Sequence, residues 1–131
     1  MRKLALCLVI LLSVAIAADR GLAGKYAGDW KSNSGDGGAI RFTLDGPHGE
    51  AWKCDLMFVL SGTDVKTTMR EVKVQETKID LLYDFDAAGN TLRSHVTGEW
   101  DGASFKGKYE TTVTGSTIDS GTWTAVREKK E

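Results

Sequence analysis

The stretch KIDLLYDFDAAGN, residues 78–90, joins an alternating segment to a turn. Its alternating apolar members are Ile79, Leu81, Tyr83 and Phe85. The residues between them are polar except Leu82, so the period is two, which places one face of a β-strand on a core and the other in water. The turn that follows is rich in Asp, Gly and Asn, which tolerate the backbone of tight hairpins. The stretch therefore predicts one arm of an antiparallel hairpin.

The same pattern recurs along the chain. Further strands are predicted at 25–31, 40–44, 51–60, 65–74, 91–100, 104–113 and 121–127. Within 65–74 the apolar parity changes from odd to even positions, which indicates a bulge or corner near 69–71 or a division into two short strands. No later segment has a sustained helical period. The sequence predicts an all-β domain, an antiparallel up-and-down meander of about eight strands that forms a barrel or a strongly curved sheet.

The first residues resemble an export signal. A basic start at Arg2 and Lys3 precedes a short apolar run that ends in small residues near Ala17 and Ala18, which is typical of a secretory signal peptide. We expect a signal peptide at 1–18, one domain at 19–127 and a charged tail at 128–131. The protein is then exported to the periplasm or the extracellular space, and no stable membrane insertion is expected.

The charge of the chain argues against a nucleic-acid partner. Removal of the signal changes the formal charge from −1 to −3, and no basic cluster marks a nucleic-acid surface. Cys54 would be the one remaining thiol, and its alternation with apolar neighbours predicts that it is buried. The oligomeric state is not determined by these observations.

The triplet G-x-W occurs three times in the chain, at 28–30, 98–100 and 121–123. Glycine before a large ring allows a neighbouring strand to approach or the sheet to bend, while the ring covers the gap. An early G-x-W followed by a meander, with an arginine on the last strand, resembles the calycins, which include lipocalins, fatty-acid-binding proteins and avidins. The resemblance implies that Gly28, Trp30 and Arg127 close one end of a barrel, with Arg127 stacked on the Trp30 ring.

Two further similarities are local. Residues 30–35 are similar to the opening of avidins, where a tryptophan precedes a polar turn, but the later avidin motifs do not align and biotin is not predicted. The last thirty residues, with G-x-W-x-A-x-R, resemble small secreted bacterial domains of unassigned function. These similarities imply a fold and a compartment.

The alternation of residues along the predicted strands places all eleven aromatic rings on their inward faces. Either the rings fill the interior of the barrel, or they line a cavity that holds one small ligand. In the second case a cavity above roughly 300 Å³, open at one end, is required. The candidate ligand-binding residues are Tyr26, Trp52, Tyr83, Trp100 and Tyr109 from the strands and Ser32, Asn33 and Ser34 from the loop at the barrel mouth.

Catalytic and metal-binding patterns are weak. His48 and His95 are both expected to face solvent, and the acidic residues point outward by parity, so no catalytic residue, metal site or cofactor is predicted. The leading hypothesis is an exported barrel that binds a small apolar or amphipathic ligand without catalysis. The alternative is a secreted inhibitor or accessory subunit with a filled core that contacts another protein through loops 32–38 and 114–120.

Overall fold

The computed structural model describes residues 21–128. It contains nine β-strands: β1 Gly24–Ser32, β2 Gly37–His48, β3 Ala51–Leu60, β4 Thr63–Lys66, β5 Thr68–Gln75, β6 Lys78–Ala87, β7 Asn90–Trp100, β8 Phe105–Val113 and β9 Ser116–Arg127. The predicted signal peptide and residues 129–131 of the predicted tail lie outside the described residues. The described part of the chain has no helix long and apolar enough to cross a membrane.

All nine strands form one antiparallel sheet. The spatial order is β4-β3-β2-β1-β9-β8-β7-β6-β5, so all sequence neighbours pair except β4 and β5, and β9 returns to pair with β1. β4 pairs with β3 and β5 pairs with β6, although Thr67 alone separates β4 from β5. β5 also packs against β3, and the Thr67 hydroxyl donates to the Leu56 carbonyl at 2.7 Å. The sheet is therefore a nearly closed barrel, and the predicted meander is confirmed.

The predicted change of parity is also confirmed. The pairing of β5 with β6 shifts between Met69 and Glu71, where an extra residue forms a bulge. Met69 and Val72 consequently both turn partly inward although their parities differ. The predicted alternative of two short strands is also confirmed, since β4 and β5 replace the single strand at 65–74 and bring the number to nine.

The barrel has two ends that differ in packing. The turns of β1–β2, β3–β4, β6–β7 and β8–β9 lie at one end, which we call the open end, and the remaining hairpin turns lie at the other, which we call the closed end. At the closed end the Tyr26 ring packs on Phe42, Trp100 and Phe105 at centroid distances of 5.0, 5.7 and 4.9 Å. Leu22 lies under this cluster, 1% exposed.

Arg127 covers the closed end. Its guanidinium lies 5.3 Å from the centroids of both the Tyr26 and the Trp100 rings. It also donates to the Tyr26 hydroxyl at 2.7 Å and to the Gly21 carbonyl. The expected contact between Arg127 and Trp30 is wrong, because β1 pairs with β9 such that Tyr26, and not Trp30, stands opposite Arg127.

Glycines allow the strands to approach where tryptophans lie flat. A Cβ at Gly98 or Gly107 would come within 2.5 or 2.6 Å of the Trp123 ring. A Cβ at Gly28 would lie 1.8 Å from the Thr124 carbonyl oxygen. The backbone of β9 thus occupies the space at Gly28, and the Trp123 ring occupies the space at Gly98, which are the two uses that the G-x-W pattern predicts.

Candidate functional site

A cavity of about 190 Å³ lies inside the barrel toward the open end. Its wall is mostly aromatic and aliphatic, contributed by Trp30, Ile40, Phe58, Leu60, Tyr83, Phe85, Leu92, Val96, Tyr109, Ile118 and Trp123. Ile118, 54% exposed, is the most open of these side chains to solvent. The aromatic rings therefore do not fill the interior at this end. The alternative hypothesis required a filled core.

Two tryptophans shape the cavity. Trp123 contacts Phe42 and Phe105 at 5.6 and 6.0 Å between ring centroids, so it separates the cavity from the aromatic cluster of the closed end. Trp30 meets Tyr109 edge-on at 6.0 Å. Each indole N–H is satisfied within the wall, since Trp123 donates to the Thr97 carbonyl and Trp30 to the Val59 carbonyl, both at 3.0 Å. Both rings consequently present apolar faces to the cavity.

One side of the cavity carries a row of polar side chains. Tyr83 on β6 pairs with Ser94 on β7, Ser94 with Thr111 on β8, and Thr111 with Asp119 on β9. All four side chains line the cavity. The Ser94 and Thr111 hydroxyls are 2.6 Å apart and hydrogen-bonded. We call these four residues the polar row; it crosses four neighbouring strands of an otherwise apolar wall.

The polar row ends in a carboxylate held by two hydroxyls. Asp119 Oδ1 accepts from the Ser32 hydroxyl at 2.5 Å, and Oδ2 accepts from the Tyr109 hydroxyl at 2.9 Å. The Ser32 hydroxyl lies 2.8 Å from that of Ser34 and accepts from the Ser34 backbone N–H at 3.1 Å. Ser32 is the last residue of β1 and is buried. Because Ser34 in the β1–β2 turn holds the Ser32 hydroxyl, that hydroxyl fixes the direction of the Asp119 carboxylate.

The two tyrosines of the site stay neutral at ordinary pH. Burial raises the pKa of Tyr83 to about 12, although a hydrogen bond with Ser94 acts in the opposite direction. The pKa of Tyr109 is raised by burial and by its hydrogen bond to the Asp119 carboxylate. Both phenols therefore keep their protons, and Tyr109 donates its proton in the hydrogen bond to Asp119.

The structure places only some of the predicted ligand-binding residues at the cavity. Tyr83 and Tyr109 line the cavity, and Ser32 supports it through Asp119. Asn33 is exposed and donates to the Ser120 hydroxyl at 3.1 Å, so it joins the two loops of the open end. Ser34 is exposed beside it.

The other candidates lie away from the cavity. Tyr26 and Trp100 belong to the cluster under Arg127, and Trp52 packs beside Gly46 near the start of β3, toward the closed end. Trp30, expected to close the barrel, instead lines the cavity. These positions differ from the expectation because parity fixes the inward face of a strand but not the height at which a residue sits along the barrel.

The alternation pattern did not identify most of the polar row in advance. Ser94, Thr111 and Asp119 each sit at an inward position of their strands, two residues from another inward residue. Continuing the alternation of β9 back from Gly121 would have found Asp119, which was assigned to a loop. The cavity, at about 190 Å³, is also smaller than the roughly 300 Å³ that the ligand-binding hypothesis required, so any ligand must be smaller than a drug-sized one.

Neither histidine lines the cavity. His48 is 3.2 Å from Asp45, and His95 is 2.7 Å from Asp80; both imidazoles are exposed. No group of three or more His, Cys, Asp or Glu side chains suited to a metal occurs between residues 21 and 128. Cys54 is buried, as its alternation predicts, in the apolar core.

Comparison with known proteins shows a likeness in fold. No family model matches the chain, and no curated protein matches it. Among solved structures, one described as EF1p2_mFAP2b bound to DFHBI superposes with a TM-score of 0.68 at 14% sequence identity. The match covers 85% of this chain and 97% of the other. The chain is thus similar in fold to a barrel that has been solved with DFHBI bound.

Proposed function

We propose that the protein binds a small, largely apolar molecule in the cavity at the open end of its barrel, without a catalytic step. The observation that carries the proposal is the unfilled, aromatic-walled space with a short polar row on one side. Apolar walls with a few placed polar groups are the usual composition of a small-molecule site. The fold likeness to EF1p2_mFAP2b, which is described as bound to DFHBI, agrees with this proposal.

The volume sets the size of the ligand. An apolar cavity of about 150 Å³ in an engineered protein holds benzene, so about 190 Å³ suits one or two fused rings. A ligand of about a dozen heavy atoms, at about 0.35 to 0.55 kcal/mol per atom, would bind with a Kd between about 10 µM and 1 mM. We therefore propose a weak, exchangeable ligand and not a permanently enclosed one.

The experiment is a calorimetric titration of the protein with 2-naphthylmethanol. Saturable binding in this range is expected, and the probe should be recovered chemically unchanged. Leu92→Trp, which places a large ring in the cavity from the start of β7, should weaken binding at least 10-fold. The matched control is Leu82→Trp, since Leu82 is also half-buried but lies on the outer face of β6.

Two results would overturn the proposal. One is the absence of saturable binding up to several millimolar probe in the folded wild-type protein. The other is equal loss of binding in the two tryptophan variants, which would place the probe outside the cavity. A circular dichroism melt of each variant confirms that loss of binding is not loss of fold.

We also propose that the protein acts after export, which the N-terminal sequence supports. Cell fractionation followed by mass measurement should recover it outside the cytoplasm without its first 17 or 18 residues. Recovery of the full-length chain from the cytoplasm would contradict this.

A further inference from the structure

Among residues 21–128, the cavity wall has one acidic side chain and no basic one. Asp119 is the single Asp, Glu, Lys, Arg or His among the residues that line it. Within residues 21–128, no Lys, Arg or His nitrogen lies within 4 Å of its carboxylate. Asp119 is half-buried at the edge of this mostly apolar wall, and a carboxylate partly withdrawn from water is stabilised by a cationic partner. The site thus contains a negative charge that the described part of the protein leaves without a cation.

The carboxylate also retains free acceptor capacity. Each of its oxygens accepts one hydroxyl, from Ser32 or from Tyr109. An ionised carboxylate has about four lone-pair positions, so about two remain. The Ser32 and Tyr109 hydroxyls orient the group while leaving acceptor positions for a ligand. Because Asp119 belongs to the wall of the cavity, a ligand held against Tyr109 and Trp30 lies close to these positions.

Resting on the proposed function, we propose that the cavity selects small aromatic amines, whose ammonium group binds Asp119 while the rings lie against the aromatic wall. A cationic donor supplies the positive charge that Asp119 lacks as a partner. A hydrogen bond between two charged groups is roughly twice as strong as one between neutral groups. An isosteric carboxylic acid would place a second negative charge beside Asp119 and is rejected. The specificity therefore excludes anionic amphiphiles such as fatty acids.

The test compares three probes of one shape. These are 2-naphthylmethylamine, which is protonated at neutral pH, the neutral 2-naphthylmethanol, and the anionic 2-naphthoate. Calorimetric titrations at pH 7 should give an affinity for the amine about 10-fold above that for the alcohol and at least 100-fold above that for the carboxylate.

Variants assign the preference to Asp119. Asp119→Asn keeps the size of the side chain and removes its charge, so the preference for the amine over the carboxylate should fall below 10-fold. The alcohol should change by a few-fold at most. The control is Asp80→Asn, because Asp80 lies on the outer face of the barrel beside His95, and this substitution makes the same change of one unit in net charge while leaving the preference intact.

Each outcome is informative. Equal affinity for the three probes, or tightest binding of naphthoate, would overturn the amine selection while the cavity would still bind small molecules. Absence of binding by all three would overturn the proposed function itself. An unchanged preference in Asp119→Asn would also contradict the inference. If that variant fails to fold, the wild-type probe series still decides between these outcomes.

Discussion

Arg127 offers a quantitative test of how the closed end is held. Arg127→Ala removes two ring contacts, each at 5.3 Å, together with hydrogen bonds to the Tyr26 hydroxyl and the Gly21 carbonyl. A cation–π contact at an exposed site contributes about 0.5–1 kcal/mol, and a hydrogen bond about 1 kcal/mol. Because the arginine is exposed, we expect a net loss of about 2 kcal/mol after allowance for solvent screening.

The loss is measurable as a change in melting temperature. With an unfolding entropy of about 2.1 cal/mol/K per residue over residues 21–128, a loss of about 2 kcal/mol lowers Tm by about 9 °C. Circular dichroism melts and urea titrations would measure the loss. Arg127→Lys should recover less than half of it, because lysine lacks the planar guanidinium that stacks on both rings.

Two results would refute this reasoning. The first is a fall in Tm below about 2 °C for Arg127→Ala, and the second is a lysine variant as stable as the wild type. The variant also separates the two ends of the barrel: its affinity for 2-naphthylmethanol should stay within about twofold of wild type at a temperature where both proteins are folded, since Arg127 does not line the cavity.

Two further predictions concern titratable groups. Hydrogen bonds from Arg93 and Arg70 lower the pKa of Asp84 to about 2, so their stabilising effect is complete above the unfolded pKa of about 3.9 and is lost as the pH falls toward 2. Asp84→Asn should therefore flatten the decline in urea stability between pH 4 and pH 2; an identical decline would contradict this. Burial raises the pKa of Cys54 to about 12, so Ellman's reagent should react slowly with the native protein and rapidly in urea, and rapid native reaction would show that the thiol is accessible.

The strand pattern was predictable because it depends on neighbouring residues. Alternation over a few positions decides which side of a strand is apolar, and Asp, Gly and Asn mark the turns. This local information also located the bulge between Met69 and Glu71, since an extra residue reverses the parity of everything beyond it. The meander followed because sequential strands joined by short turns pair with each other.

The location of the cavity was not predictable in the same way. Tyr26, Trp30 and Tyr109 all point inward, yet Tyr26 lies under Arg127 while the other two line the cavity. Their heights in the barrel are set by the register of each strand pair, and the register depends on turn lengths and bulges summed around the sheet. The early G-x-W correctly indicated an inward ring, but Trp30 lines the cavity and Arg127 covers the opposite end of the barrel.

The all-β meander, the inward face of the strands and the burial of Cys54 could be predicted from the sequence, because these properties follow from side chains a few residues apart. The packing of the barrel sets two further features: Trp123 separates a filled end from an unfilled one, and Tyr83, Ser94, Thr111 and Asp119 form one row. The residues of that row come from four strands and span positions 83–119, and the closure of β9 onto β1 brings Ser32 to Asp119. Contacts of this kind depend on the packing of the whole barrel, which no local pattern specifies.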